Sequence, residues 1–226
     1  MTTSPPRLAL FDLDNTLIDR AGAFRIWASA FISERTLGGQ PEIEWLEEAD
    51  SDGLTPRSEF FAQVSSRYAL PEPVEDLVAA YRHDYPRCVR PPPEETRAAL
   101  RDLRERGWKI GIVTNGSRSQ QTKIATAGLA EEVDGWAISE VVGSRKPEPA
   151  IFHAAASACG CTLEGAWVIG DSARADIAGA TACGLSSIWI SRGREWMEEG
   201  YRPDAIADTI AEAVAHILAR SEHSSG

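Results

Sequence analysis

Leu8-Ala9-Leu10-Phe11-Asp12-Leu13-Asp14-Asn15-Thr16-Leu17 is an apolar run that ends in two carboxylates two positions apart. Its length and composition suit a strand buried on both faces, covering residues 7 to 12. An Asp-Asn turn would account for Asp14-Asn15, but an acid still inside the apolar run has no packing use there. Asp12 and Asp14 therefore read as a functional pair delivered to the edge of a sheet.

Beyond the strand, the pattern changes for some seventy residues from about Asp19, and no strand-like alternation appears. Phe24, Trp27, Phe31 and Ile32 recur at helical spacing, as do Ile43, Trp45 and Leu46, then Phe60, Phe61 and Val64, then Val74, Leu77, Val78 and Tyr81. This predicts an all-helical insert, residues 19–88. Thr55-Pro56 reads as an N-cap with proline at the first helical position, and Gly38-Gly39 as a stop. Pro91-Pro92-Pro93 marks a stiff boundary.

After the prolines, helices and strands alternate. Strands are predicted at 109–113, 136–138, 166–169, 187–190 and 205–206, and helices at 94–106, 117–127, 149–158, 174–182 and from the last strand to about 219. Strand-then-helix throughout predicts an α/β fold, a Rossmann-like parallel sheet covered on both faces, built from residues 1–18 and 89–226. Ligands of such sheets bind beyond the carboxyl ends of the strands, where the strand order reverses.

Those ends carry Asp12 and Asp14, then Thr114-Asn115-Gly116-Ser117, then Gly170-Asp171-Ser172, with Asp176 in the following helix. Like charges about 4 Å apart repel by roughly 4 kcal/mol per pair at an effective dielectric near 20, so four carboxylates at one sheet end call for a cation. Oxygen ligands without His or Cys favour Mg²⁺. Thr114 to Ser117 offers a hydroxyl and amide donors at a helix start, suited to an anion. Lys146, in Ser144-Arg145-Lys146-Pro147-Glu148-Pro149, stands before a proline-started helix and beside such a loop becomes a charge clamp. Hydroxyl, lysine, cation and free carboxylate are the parts of phosphoryl transfer through an aspartyl-phosphate.

In this order the motifs resemble the haloacid dehalogenase superfamily: Asp12-Leu13-Asp14-Asn15-Thr16 is similar to its first motif, Thr114-Asn115-Gly116 to its second, Lys146-Pro147 to its third, and Gly170-Asp171-Ser172 through Asp176 to its fourth. The helical insert resembles that family's small cap domain, so the likeness spans essentially the whole chain. The resemblance implies Asp12 as nucleophile and Asp14 as general acid, then base. It implies Mg²⁺ held by the carboxylates of Asp12 and Asp171 and the main-chain carbonyl of Asp14, with Asp176 behind them orienting Lys146 or a water on the metal. Thr114 and the Asn115 amide would hold the phosphoryl oxygens, and Lys146 would offset their charge. Asp12 and Asp14 can divide these roles only if the chain leaves regular strand geometry at Leu13, because i and i+2 side chains share a strand face.

Within the family, the resemblance ties the second acid to phosphate monoesters, since halide needs no proton on leaving. Phosphonate hydrolysis would use a cap lysine, and residues 19 to 88 contain none. The expected activity is a phosphatase of small phosphorylated metabolites. A phosphomutase of sugar phosphates and a non-catalytic phospho-ligand binding protein are the alternatives.

The 226 residues, 43% of them hydrophobic, suffice for a packed core, and the formal charge of −11 with no basic stripe opposes a nucleic-acid partner. Absence of a signal or long apolar run predicts a cytoplasmic protein without a membrane partner, a monomer or homodimer. Cys88, Cys159, Cys161 and Cys183 read as reduced thiols. Most cap aromatics should form the cap's own core, one or two facing the active site. Glu48 to Glu59 fits a calcium-loop pattern but reads better as an acidic turn, and Trp189 to Trp196 is an aromatic and basic cluster that is either interface or packing.

Overall fold

The computed structural model describes residues 7–223, with side chains through Ser221. Six parallel strands form one sheet: β1 (Arg7–Phe11), β2 (Trp108–Thr114), β3 (Gly135–Ile138), β4 (Trp167–Gly170), β5 (Ser186–Ile190) and β6 (Ala205–Ala207). Their spatial order is β3-β2-β1-β4-β5-β6. The chain therefore builds outward from β1 through β2 to β3, returns to the other side at β4, and continues to β6. The reversal lies between β1 and β4, which pair Ala9 with Trp167, Leu10 with Val168 and Phe11 with Ile169. That pair is where a ligand crevice is expected.

Four strands read as continuous apolar runs because helices cover both faces. Leu8 and Leu10 of β1, Val113 of β2 and Val168 of β4 pack with Ile151, Phe152, Ala155 and Ala156 of α8 (Pro149–Ala158) and Ala180 of α9 (Ala178–Ala182). Residues alternate across a strand, so Ala9, Phe11, Ile110 and Ile112 face the opposite layer, where α5 (Glu94–Glu105) lies on β2 and against α10 (Ile210–His223). All four of those strand residues are fully buried. Two helices near strand ends complete the unit, α6 (Ser119–Thr126) and the one-turn α7 (Ser139–Val142), the latter too short for its periodicity to show in the sequence. Among the described residues, no helix is long and apolar enough to cross a membrane.

Residues Asp19–Arg90 form a separate compact unit. It holds α1 (Arg20–Glu34), α2 (Gln40–Asp50), α3 (Arg57–Tyr68) and α4 (Val74–Asp84). Its end lies two residues beyond the expected 88. Tyr85–Cys88 forms a 3₁₀ turn after α4, and its Tyr85 hydroxyl donates to the Arg20 carbonyl at 3.3 Å. Two local expectations change. Pro56 is itself the residue preceding α3, and Gly39 opens α2 rather than stopping α1.

Five aromatics of this unit, Phe24, Trp27, Phe31, Phe60 and Phe61, are buried. Trp27 is their hub, with ring centroids 5.3 Å from Phe24, 5.1 Å from Phe31 and 5.9 Å from Phe61. The acidic turn is charge-compensated. Asp50 pairs with Arg20 and Arg57, both at 2.6 Å, and accepts from the Gly53 amide, while Asp52 pairs with Arg20 at 3.4 Å. These carboxylates are taken up by arginines and not arrayed as a calcium loop.

Phe61 is fully buried against Trp27, Phe31, Phe60 and Tyr81. Phe61→Ala is expected to lower the unfolding free energy of this unit by about 3–5 kcal/mol, read from urea denaturation followed by tryptophan fluorescence. A loss under about 1 kcal/mol would mean the cluster is not the unit's core.

Candidate active site

Strand β1 stops at Phe11, and the Asp12 amide donates to the Ile169 carbonyl at 2.8 Å, tying the ends of β1 and β4 together. The chain then curls: the amides of Leu17 and Ile18 both donate to the Leu13 carbonyl at 3.0 Å, and Asn15 takes a positive φ of 61°. Leu13 is fully buried inside this curl. Departure from strand geometry at Leu13 sends the two acids to different partners.

Asp12 meets Lys146 Nζ at 2.6 Å, and the same ammonium reaches Asp176 Oδ1 at 2.7 Å. Lys146 is held by its main chain, whose N–H donates to Asn115 Oδ1 at 2.8 Å and whose carbonyl accepts from Asn115 Nδ2 at 3.0 Å. The side-chain amide of Asn115 is thus committed to Lys146, a use the sequence did not reveal. The Lys146–Pro147 peptide is cis.

Asp176 lies in a π-helical turn, Ala173–Ile177, just after β4. Its Oδ2 accepts from the Ser172 amide at 2.9 Å, and it has no solvent exposure. A Cβ on Gly170 would collide with the Asp176 side chain, so only glycine fits there. Asp12, Asp171 and Asp176 each offer a carboxylate oxygen within 4.8 Å of the others. Asp176 contacts Lys146, the residue the resemblance implies it orients.

Asp14 turns away from that cluster. Lys123 Nζ lies 2.8 Å from both of its oxygens, and Gln120 Nε2 donates to Oδ2 at 2.8 Å. Gln120 also donates to Thr114 Oγ1 at 2.6 Å, which joins the second acid to the hydroxyl at the end of β2. Neither Lys123 nor Gln120 was singled out from the sequence. Their i, i+3 spacing on the helix after Thr114-Asn115-Gly116-Ser117 is the signal that could have found them.

The aromatic and basic cluster after β5 proves to be packing around Asp171. Trp189 Nε1 donates to the Asp171 carbonyl at 2.8 Å, Trp196 meets Trp189 edge-on at 5.1 Å, and Arg194 lies 5.4 Å over the Trp189 ring. Arg192 Nη1 and Arg194 Nη2 each approach Asp171 Oδ2 at 3.2 Å. Both arginines were also missed, though they directly follow a strand end.

One ammonium cannot neutralise several buried carboxylates. Burial pushes Asp12 up to about 7 from 3.8, Lys146 opposing and Asp176 and Asp14 adding to the rise. Burial also raises Asp171 to about 6, with the charge of Asp12 adding and Arg194 and Arg192 opposing. Asp176 is raised by burial against the pull of Lys146. Burial works against the charge of Lys146 too, but Asp12 and Asp176 outweigh it and hold the ammonium above its ordinary value. The ends of β1 and β4 thus carry a surplus of buried negative charge, with oxygen donors set to receive a cation.

The family model of the haloacid dehalogenase-like hydrolases matches residues 6–184 of the chain. The chain belongs to that family. Among its relatives, glyceraldehyde 3-phosphate phosphatase of Methanopyrus kandleri is 31% identical over 214 residues, 89% of this chain and 91% of that protein. Phosphoserine phosphatase of Thermus thermophilus is 33% identical over 135 residues, 59% of this chain and only 53% of that protein, so the chain matches about half of that relative's length. A phosphatase of the same family from Thermococcus onnurineus has the same fold, with a TM-score of 0.66 at 24% identity over 93% of this chain and 97% of that one.

Asp12 and Asp171 bind protons more tightly in the folded protein than in the unfolded chain, whose carboxyls keep 3.8. Between pH about 4 and about 7 the native state therefore holds more protons than the unfolded state, and stability without a metal falls as pH rises through that window. Denaturant midpoints of metal-free protein are expected to drop between about pH 4.5 and about pH 8, and Asp12→Asn is expected to flatten the drop. A wild-type midpoint that rises over this range would contradict the burial argument.

Proposed function

We propose that the chain is a Mg²⁺-dependent phosphohydrolase that cleaves small phosphate monoesters through a covalent intermediate on Asp12. The observation that carries this reading is the convergence of Asp12, Asp171 and Asp176, with oxygens within 4.8 Å, on a buried lysine that contacts two of them. The donor set suits Mg²⁺: all its side-chain ligands are hard oxygens, and burial leaves them short of positive charge. Asp12, Asp171 and the Asp14 main-chain carbonyl would hold the ion, which when bound supplies positive charge to the phosphate and to the carboxylates around it.

A carboxylate oxygen of Asp12 attacks phosphorus, and the bond from phosphorus to the ester oxygen breaks. Asp14 gives a proton to that departing oxygen, and then takes one from the water that attacks the phosphoryl group on Asp12. Inorganic phosphate leaves and the Asp12 carboxylate is restored. Thr114 Oγ1 and main-chain N–H groups of the Asn115 loop hold the phosphoryl oxygens, since the Asn115 side chain is engaged with Lys146. Lys146 offsets charge on Asp12 as it becomes an acyl phosphate.

In this reading the α/β unit is the catalytic core and the helical unit, Asp19–Arg90, the cap domain. The reducing cytoplasm fits its four unpaired cysteines. Glyceraldehyde 3-phosphate and phosphoserine, named for the two relatives, are both three-carbon phosphate monoesters and lead the substrates to try.

Wild-type protein with Mg²⁺ is expected to release inorganic phosphate stoichiometrically from p-nitrophenyl phosphate and from one or more three-carbon monoesters. Asp12→Asn should lose at least about a thousandfold of that rate while keeping its circular dichroism spectrum. Retained turnover in this variant, or an isomerised product without phosphate release, would overturn the reading.

A further inference from the structure

The chain contains three lysines against twenty arginines. Lys109 is a half-exposed partner of Asp134. The other two are buried on the two acids that follow β1, Lys146 on Asp12 and Lys123 on Asp14. Elsewhere this chain builds its ion pairs with arginine, including the buried Arg20–Asp50 pair. An ammonium at the head of a flexible stem is a compact point charge, whereas guanidinium is a planar fork that needs more room. At Asp12 and Asp14, then, a small charge meets a carboxylate in a confined place.

Stability does not account for Lys123. Removing an ammonium from water costs several kcal/mol in general, and apolar replacements of buried ion pairs are often neutral or stabilising. The contact instead restricts Asp14. Both carboxylate oxygens are bound by one Nζ at 2.8 Å, and Oδ2 is bound a second time by Gln120. Gln120 and Lys123 lie three apart on α6 and so share one face of it. Through Gln120 the same helix face also holds Thr114 Oγ1. Asp14 sits on the curled loop after β1, Thr114 at the end of β2, and α6 sets the distance between them.

We infer that Lys123 is a positioning residue for the proton-transfer group Asp14, fixing its carboxylate relative to the phosphate-holding Thr114 with Gln120 as the strut between them. This rests on the phosphohydrolase reading above. A proton donor helps only when its oxygen is held within hydrogen-bond reach of the departing oxygen. The need for it depends on the leaving group: p-nitrophenolate departs without a proton, whereas an alkoxide does not.

The test uses full-length protein with Mg²⁺ and reads kcat/KM, which reports transfer to Asp12 and not the later hydrolysis common to all substrates. Lys123→Met is expected to reduce kcat/KM for an alkyl phosphate such as phosphoserine or glycerol 3-phosphate by about tenfold or more, and for p-nitrophenyl phosphate by less than about threefold. Lys123→Arg should recover part of the alkyl ester rate. In an Asp14→Asn background, Lys123→Met should have no further effect on either substrate, because the group it positions is gone. Equal losses on the two substrates, or full additivity with Asp14→Asn, would overturn the inference and reduce Lys123 to a structural role. The double variant buries no unpaired charge and keeps the test available if Lys123→Met alone folds poorly. Failure of the phosphohydrolase reading is distinct: it would appear as wild-type and Asp12→Asn proteins with the same rate.

Discussion

One buried ammonium ties this structure's chemical end together. Lys146 touches Asp12 at 2.6 Å and Asp176 at 2.7 Å while its main chain is clipped on both sides by Asn115. Through these contacts the ends of β1, β2 and β4 meet the loop before α8. Breaking a buried pair by deleting one partner leaves an unpaired charge out of water, which costs about 3–5 kcal/mol in comparable cases. Lys146 is thus both an organiser of the site and part of its charge balance.

The balance is incomplete, and its incompleteness is chemically useful. Asp171 is met by two guanidinium groups at 3.2 Å, longer than the 2.7–2.9 Å usual for a charge-assisted hydrogen bond, whereas Lys146 sits tightly on its partners. The loosely matched carboxylate is the one at the end of β4, beside the reversal of strand order. Trp189 and Arg194 secure its main-chain carbonyl, at 2.8 and 2.7 Å, and so steady the residue without saturating the carboxylate. The proposed roles of nucleophile and metal ligand would need free lone pairs, and an arrangement with every carboxylate fully paired would leave none.

Much of this was legible in the amino-acid order. All six strands were read: the four central ones are continuous apolar runs bounded by helices of another period, and the short edge strands β3 and β6 fell where the strand-helix alternation called for them. The strand-end rule then picked out Asp12, Asp14, Thr114 and Asp171 without any contact being known, with Asp176 read in the helix that follows β4 and Lys146 read from its place before a proline-started helix beside an anion loop. Lys123, Gln120, Arg192 and Arg194 escaped it. The first two project from a helix interior, where polar residues ordinarily face water, and the two arginines were read only as part of an aromatic and basic cluster, with nothing in the sequence tying them to Asp171. The cap aromatics were expected to form mostly the cap's own core, and Phe24, Trp27, Phe31, Phe60 and Phe61 do cluster around Trp27.

Local sequence determined the elements, the division into a helical insert and an α/β core, and the residue types at each strand end, since periodicity, proline and abrupt acids act over a few positions. Only the tertiary structure decided which charge answers which. Asp12 and Asp14 are two residues apart, yet one pairs with a lysine 134 positions away and the other with a lysine 109 positions away. Separation of that kind is set by sheet order and helix packing, which bring distant side chains within 3 Å and leave no trace in the spacing of either partner.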